Sequence, residues 1–480
     1  MHRGADPGSA PAPPPSPRDS SPGAGEPLRQ GVSGSTLPVI PGHCRGITAL
    51  LISVALLAGC TAPTDPAPPE PPAVRSLLLG AAGAPQGTFG DPTAPDFPRG
   101  FAELADIGFD IFFPLFLVSE GGESTAEVTH FLPPTALPGL DPGLTCAGPR
   151  NPWSAAGSVQ ILLPGYLLAI DQADTELLDV PRYQARLRSF LEVCLGGDVR
   201  PLAGIYLQDE PANSYMAAKL DPEPRDYLLE NVATMAATSR EVVQVPTVIA
   251  EAPLPFLLPF YGVPETDRPL LEENFHRAVR ETVPAASVYG FSLYPVDIVP
   301  DLTALGEYVE EARRLAPEAL PMAVLQGFGY TDMSIDFPPA TGRQPTLEES
   351  RAMAFLAVVQ GARVIFWYGP SALRRGDPGA WEDIKTVIGE LRRTEGPLSW
   401  GERVVELGNP RLKWTARADG GQTWFYIVNP TPGEERVVVP TFGEGALLDA
   451  LSGRRLGTGS TVSLDLPGYG VVVACTGCRP

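Results

Sequence analysis

Short apolar runs rich in branched and aromatic residues alternate along this chain with longer stretches whose apolar positions fall at helical spacing. The runs lie at 76–83, 109–118, 159–169, 202–208, 245–251, 288–294, 322–326 and 363–368. Near-continuous apolar character marks strands buried on both faces, as in a parallel sheet. Segments 182–195, 227–235, 271–279, 305–315 and 347–359 carry apolar residues at the spacing of one helix face. Strand and helix in alternation predict parallel βαβ units, and eight of them predict a (β/α)₈ barrel. An open doubly wound sheet is the alternative, but no predicted strand runs into a Gly-x-Gly-x-x-Gly turn. Beyond residue 398 the runs shorten, at 403–407, 412–417, 423–428, 435–439 and 471–475, and turn sequences such as Asp-Gly-Gly and Pro-Thr-Pro-Gly separate them. That texture predicts a small antiparallel β-sandwich. The expected division is a barrel over 76–398 and a sandwich over 399–480.

The start of the chain has a different grammar. Residues 1–42 are rich in Pro, Gly, Ser and Ala without apolar period, the mark of disorder. Arg45 then precedes an apolar run from Ile47 to Leu57, which ends in Leu57-Ala58-Gly59-Cys60. A basic flank, a short apolar core and small residues before a cut mark a secretory signal over 43–60. Leu-Ala-Gly-Cys resembles the bacterial lipoprotein box, which implies lipid on Cys60 and attachment to the cell envelope, facing the periplasm or the exterior. A plain membrane anchor and an ordinary cleaved signal are the alternatives. Residues 61–75 are Pro-rich and read as a semi-rigid tether. No Met lies between Met1 and Met216, so a start at Val32 or Val39 is the expectation for the natural precursor.

Charge and rare residues narrow the function. The formal net charge of -21 speaks against a nucleic-acid partner, because phosphate contacts need clustered Lys and Arg. Membrane attachment is therefore expected from the lipid, not from a basic face. The four histidines, His2, His43, His130 and His276, are scattered, so no multi-His metal site is expected, and nothing in the sequence calls for a cofactor. Cys146, Cys194, Cys475 and Cys478 form an even set in an exported chain, read as disulfides Cys146–Cys194 and Cys475–Cys478. The alternative, a metal site at the terminal Cys-x-x-Cys, lacks a second pair of similar spacing.

A barrel does its chemistry where strands end. The fourth run ends Tyr206-Leu207-Gln208-Asp209-Glu210-Pro211. Two adjacent carboxylates there offer a general acid, and Glu210 is the first candidate, with Asp209 beside it. Because neighbours on a strand face opposite ways, only one of the two is expected to face the mouth squarely. The neutral reading is a helix cap or an ion pair. Glu251, closing the fifth run, is the first choice for a second carboxylate; Asp297, Asp332, Glu120 and Glu123 are the others. Aromatic residues at strand ends bury the apolar face of a sugar ring. Tyr206, Tyr294, Phe328, Trp367 and Tyr368 are assigned to substrate binding, whereas Phe112 and Phe366 are assigned to the core. Arg343 is a candidate for a carboxylated sugar, and Arg351 is read as a structural pair.

Strand four ending in acid-Glu-Pro resembles the large clan of (β/α)₈-barrel glycoside hydrolases, in its Asp-Glu-Pro form. Phe291-Ser292-Leu293-Tyr294-Pro295 and the stretch from Val324-Leu325-Gln326-Gly327-Phe328-Gly329 to Phe366-Trp367-Tyr368 match in order and spacing, over roughly 76–370. The resemblance implies Glu210 as acid/base and a carbohydrate ligand. It also implies a nucleophilic Glu at the end of strand seven, where this chain has Gln326. A neutral amide cannot form a glycosyl ester, but it can hydrogen-bond a sugar hydroxyl, so Gln326 joins the substrate-binding set. Two functions follow as expectations: an exported, lipid-anchored glycoside hydrolase, or a glycan-binding lipoprotein on a barrel that has lost its chemistry.

Overall fold

The computed structural model describes residues 75–83, 97–114, 131–136, 145–148, 151–169, 177–215, 226–260, 262–330, 341–369, 378–443 and 445–478. The signal, Cys60 and all of the tether but Arg75 lie outside these residues, as do Glu120, Glu123, His130 and Asp332. Among the described residues no helix is long and apolar enough to cross a membrane.

Eight parallel strands close a barrel in chain order: β1 Leu78–Ala82, β2 Ile111–Phe113, β3 Gln160–Pro164, β4 Leu202–Asp209, β5 Thr247–Glu251, β6 Val288–Leu293, β7 Leu320–Gln326 and β8 Val364–Tyr368. β8 returns to β1 in register from Leu78↔Val364 to Ala82↔Tyr368. Every predicted barrel strand is present. The third predicted run breaks at Gly165 into a 3₁₀ turn, Gly165–Ala169, and the second is a strand only over Ile111–Phe113 among its described residues. Helices Phe97–Ile107 and Pro378–Thr394 add to the five expected from spacing.

Two apolar cores follow from the period of two. Residues such as Leu79, Ile205, Ile249, Leu325 and Trp367 face outward and pack under the helix ring. Residues such as Ile111, Val248, Met322, Val364 and Phe366 face inward and fill the barrel. Arg392, near the end of helix Pro378–Thr394, closes the lower side. It donates to the carbonyls of Gly108 and Leu77 and pairs with Asp110 and Glu395, joining the start of the barrel to its end.

The rest is an antiparallel sandwich. A six-stranded sheet (β9 Gly401–Glu402, β10 Lys413–Asp419, β11 Gln422–Val428, β13 Ala446–Asp449, β14 Arg455–Thr458, β16 Val471–Thr476) faces a two-stranded one, β12 Glu435–Pro440 with β15 Thr461–Leu466. Phe425, Ile427, Val437, Val439 and Leu466 meet between them. Residues 403–407, expected as a strand, are irregular; four short strands, β9 and β13 to β15, went unread. Both expected disulfides are present, Cys146–Cys194 and Cys475–Cys478.

Candidate active site

At the C-terminal ends of the barrel strands a cavity of about 210 Å³ opens inward. Tyr206, Asp209 and Glu210 from β4 and its end, Ser292 from β6, Tyr294 just after it, and Tyr368 from β8 supply its polar atoms; Phe113, Leu162, Met322, Val324 and Phe366 supply most of the remainder.

Asp209 and Glu210 both line this cavity, against the expectation that strand alternation admits one. Two local features explain it. Tyr206 pairs with Val248 and Asp209 with Ala250, so β4 spends three steps where β5 spends two. Such a bulge turns the side chains that follow it. Glu210 then takes φ +45°, the left-handed region that side chains other than Gly rarely occupy. Its N–H still bonds the Ala250 carbonyl at 3.0 Å, and Pro211 starts the helix Pro211–Tyr215 directly behind it. Strained backbone of this kind concentrates at functional positions. Asn213, one turn into that helix, donates to the Glu210 carboxylate at 3.0 Å. The sequence reading missed Asn213; the three-residue offset across a helix start was the available signal.

The Tyr206 hydroxyl donates to Asp209 at 2.7 Å. Burial raises the Asp209 carboxyl above its ordinary range, with the Tyr206 hydrogen bond opposing it. The Tyr206 phenol is pushed well up by burial and then by the neighbouring Asp209, so it stays a donor. The Tyr206 ring lies 4.4 Å from that of Phe113, and the Tyr294 and Tyr368 rings stack at 5.4 Å and 19°. These four rings flank the carboxylates. Phe328 stands behind them, fully buried against Tyr294 and Tyr368, so it supports the wall and does not face a ligand.

Strand phase overturns the assignments of Trp367 and Glu251. Trp367 sits on the outward face of β8, fully buried beside Phe109 under the helices, because it is one residue out of phase with Phe366 and Tyr368. Phe366 belongs to the barrel core, as assigned, and also borders the cavity. Glu251 is also one residue out of phase: Ala250 faces inward, and Glu251 points to the helix layer with no exposed surface. It accepts from Ala212 N–H at 3.0 and 3.2 Å, capping the helix Pro211–Tyr215. Burial pushes its carboxyl well up, with the Ala212 hydrogen bond opposing and the Glu210 charge adding to the rise.

Gln326 does face inward at the end of β7, but its amide is committed. Its Oε1 accepts from Val296 N–H at 2.9 Å, and its Nε2 donates to the carbonyls of Val296 and Phe328. It is fully buried and clips the chain after β6 to the chain after β7. Asp297, at φ +72°, performs a related task. It accepts from Thr341 Oγ1, Gly342 N–H and Arg343 N–H. Burial acts to raise its carboxyl, but these donors outweigh it and hold the group below its ordinary range. Arg343 forms a two-pronged pair with Glu349 at 2.7 Å, and Arg351 does the same with Glu390. His276 lies on the helix Arg268–Thr282, outside the cavity. Among the described residues no His, Cys, Asp and Glu cluster is arranged to hold a metal ion.

No family model and no curated protein matches the chain. Among solved structures, the chain is similar to a GH30 endoxylanase of Clostridium papyrosolvens at 11% identity, covering 84% of this chain and 96% of that one with TM-score 0.44. It is similar to a maltogenic α-amylase of Thermotoga neapolitana at 9% identity, covering 84% and 99% with TM-score 0.48. It is also similar to a GH27 β-L-arabinopyranosidase of Geobacillus stearothermophilus, solved with arabinose, at 13% identity, covering 85% and 98% with TM-score 0.47. Likenesses this distant leave substrate and mechanism to the residues of the cavity.

Proposed function

We propose that this chain hydrolyses a glycosidic bond, with Glu210 giving its proton to the leaving oxygen and later taking one back from water. The observation that carries the reading is Glu210 itself: left-handed backbone, Asn213 on its carboxylate, and a cavity of stacked tyrosines around it. Asp209, held by Tyr206, is the second carboxylate in reach of a ligand among the described lining residues. Its role is to face the positive charge that develops at the sugar's anomeric carbon. The aromatic wall gives the ring faces on which a pyranose packs.

The experiment is a panel of polysaccharides and aryl glycosides offered to the protein and to Glu210→Gln. Turnover is expected in the first and reduced about 10²–10⁴-fold in the second, the usual worth of a positioned proton donor. Glycan binding by both proteins with turnover in neither would establish the second reading, a glycan-binding barrel. Gln326 favours that reading, because its amide is occupied by backbone groups and no carboxylate stands at the end of β7.

The setting belongs to the same proposal. Leu57-Ala58-Gly59-Cys60 supports export and lipid attachment through Cys60, which puts the barrel among the glycans of the cell envelope and its surroundings. Fatty-acid labelling of the expressed chain is expected to give one labelled species, lost in Cys60→Ser. Label retained by that variant would remove the anchor from the proposal.

A further inference from the structure

The cavity is polar only in its upper part. Position along each strand sorts its lining: Tyr368 ends β8 with Phe366 two residues before it, and Val324 and Met322 lie two and four residues before Gln326, the end of β7. Leu162 is level with Gly204, two residues below Tyr206. Leu162, Met322, Val324 and Phe366 are buried and lie inside the strand ends, whereas Asp209 and Glu210 stand partly exposed at the end of β4, so the four form a floor beneath the carboxylates and border the open volume. Ser292, paired in register with Val324, is the one lining side chain of this part of the wall with a hydroxyl, and it neighbours the Tyr294 hydroxyl. Val324 and Ser292 keep 7% of their surface, although both are inside the barrel.

A floor of four apolar side chains with a single hydroxyl beside it is a poor place for water, which needs two to four polar partners. It is equally poor for a sugar hydroxyl, which would lose its hydrogen bonds there. A methyl group loses nothing and gains contact. We infer that the glycosyl residue taken beside Glu210 carries a methyl-terminated substituent, and that this methyl enters the floor formed by Leu162, Met322, Val324 and Phe366. The inference rests on the proposed glycan-acting site and names its substrate class. Two kinds of sugar offer such a group, a 6-deoxyhexose and an N-acetylhexosamine.

Matched 4-nitrophenyl glycosides of both anomers test it. One pair is D-fucoside and D-galactoside, which differ by a methyl in place of a hydroxymethyl. The other is N-acetylglucosaminide and glucoside. Binding is read by ligand-observed NMR on Glu210→Gln, and kcat/KM on the unaltered full chain. In one pair the methyl-bearing member is expected to be favoured at least tenfold, up to the roughly 10²-fold by which an apolar pocket rejects an added hydroxyl. Which pair responds identifies the source of the methyl. Val324→Thr, or Phe366→Tyr if the first does not fold, gives the floor a hydroxyl and is expected to shrink that preference severalfold. Equal binding and turnover across both pairs would overturn the inference and leave the hydrolase reading standing. Absence of both binding and turnover for all four sugars would overturn the two together.

Discussion

At residue scale the decisive contrast is between Glu210 and Gln326. Both end barrel strands, and both are polar groups in apolar surroundings. Glu210 is turned by its φ of +45° toward open volume, whereas Gln326 meets three backbone partners and no space. A sequence shows residue type at a strand end, but whether the side chain has free volume is settled by its neighbours. This distinction predicts the effect of restoring the missing acid. Gln326→Glu would set a carboxyl oxygen where Nε2 now donates to the carbonyls of Val296 and Phe328. At least about 2 kcal/mol of stability is expected to be lost, the scale of an unpaired buried polar group. Thermal unfolding measures it. A variant of unchanged Tm with higher turnover would show instead that this position faces the substrate.

At the scale of elements, the phase of each strand decides what its polar residues do. The alternation that sends Ala250 inward sends Glu251 outward, where it ties β5 to the helix that begins just after Glu210. The strand was legible; the phase at its last residue was not, because Val248-Ile249-Ala250-Glu251 is apolar on both faces until the acid. Trp367 falls on the outer face of β8 for the same reason. The placement has a consequence for pH dependence. Burial holds the Glu251 carboxyl neutral well above the roughly 4.3 of an unfolded glutamate. Its stabilising contribution is therefore complete below that value and is lost as pH rises through the raised native value. Glu251→Gln keeps an oxygen for Ala212 N–H and has no proton to lose. Between pH 5 and pH 8, in thermal melts, the variant's Tm is expected to gain on that of the unaltered protein. Parallel Tm curves would place the buried charge elsewhere.

At the scale of the whole molecule, barrel and sandwich share one core. Tyr426, Val428 and Val473 of the sandwich belong to the same buried cluster as the barrel's helix layer. Tyr426 donates its hydroxyl to the Thr394 carbonyl, and Tyr469 donates to that of Pro300 in the loop after β6. The Leu302 N–H bonds the Pro430 carbonyl at 2.9 Å. Contacts of this extent couple the two parts, so one cooperative calorimetric transition is expected. Two separate transitions, with the barrel unfolding alone, would show the sandwich to be an independent appendage.

The amino-acid pattern alone determined the eight strands, most of the helix ring and the change to antiparallel structure near residue 399. It did so because burial on two faces, helical spacing and turn chemistry are local in the chain. It also placed Asp209 and Glu210 at a strand end. Tertiary structure decided that both of them share one cavity, through a bulge measured against β5 and a left-handed turn before Pro211. It decided that Glu251 and Trp367 belong to the outer layer, and that Gln326 is a clip. Those outcomes depend on register between strands distant in sequence and on which backbone groups reach a given side chain. Neither is encoded within any one segment, and both arise only when the barrel closes.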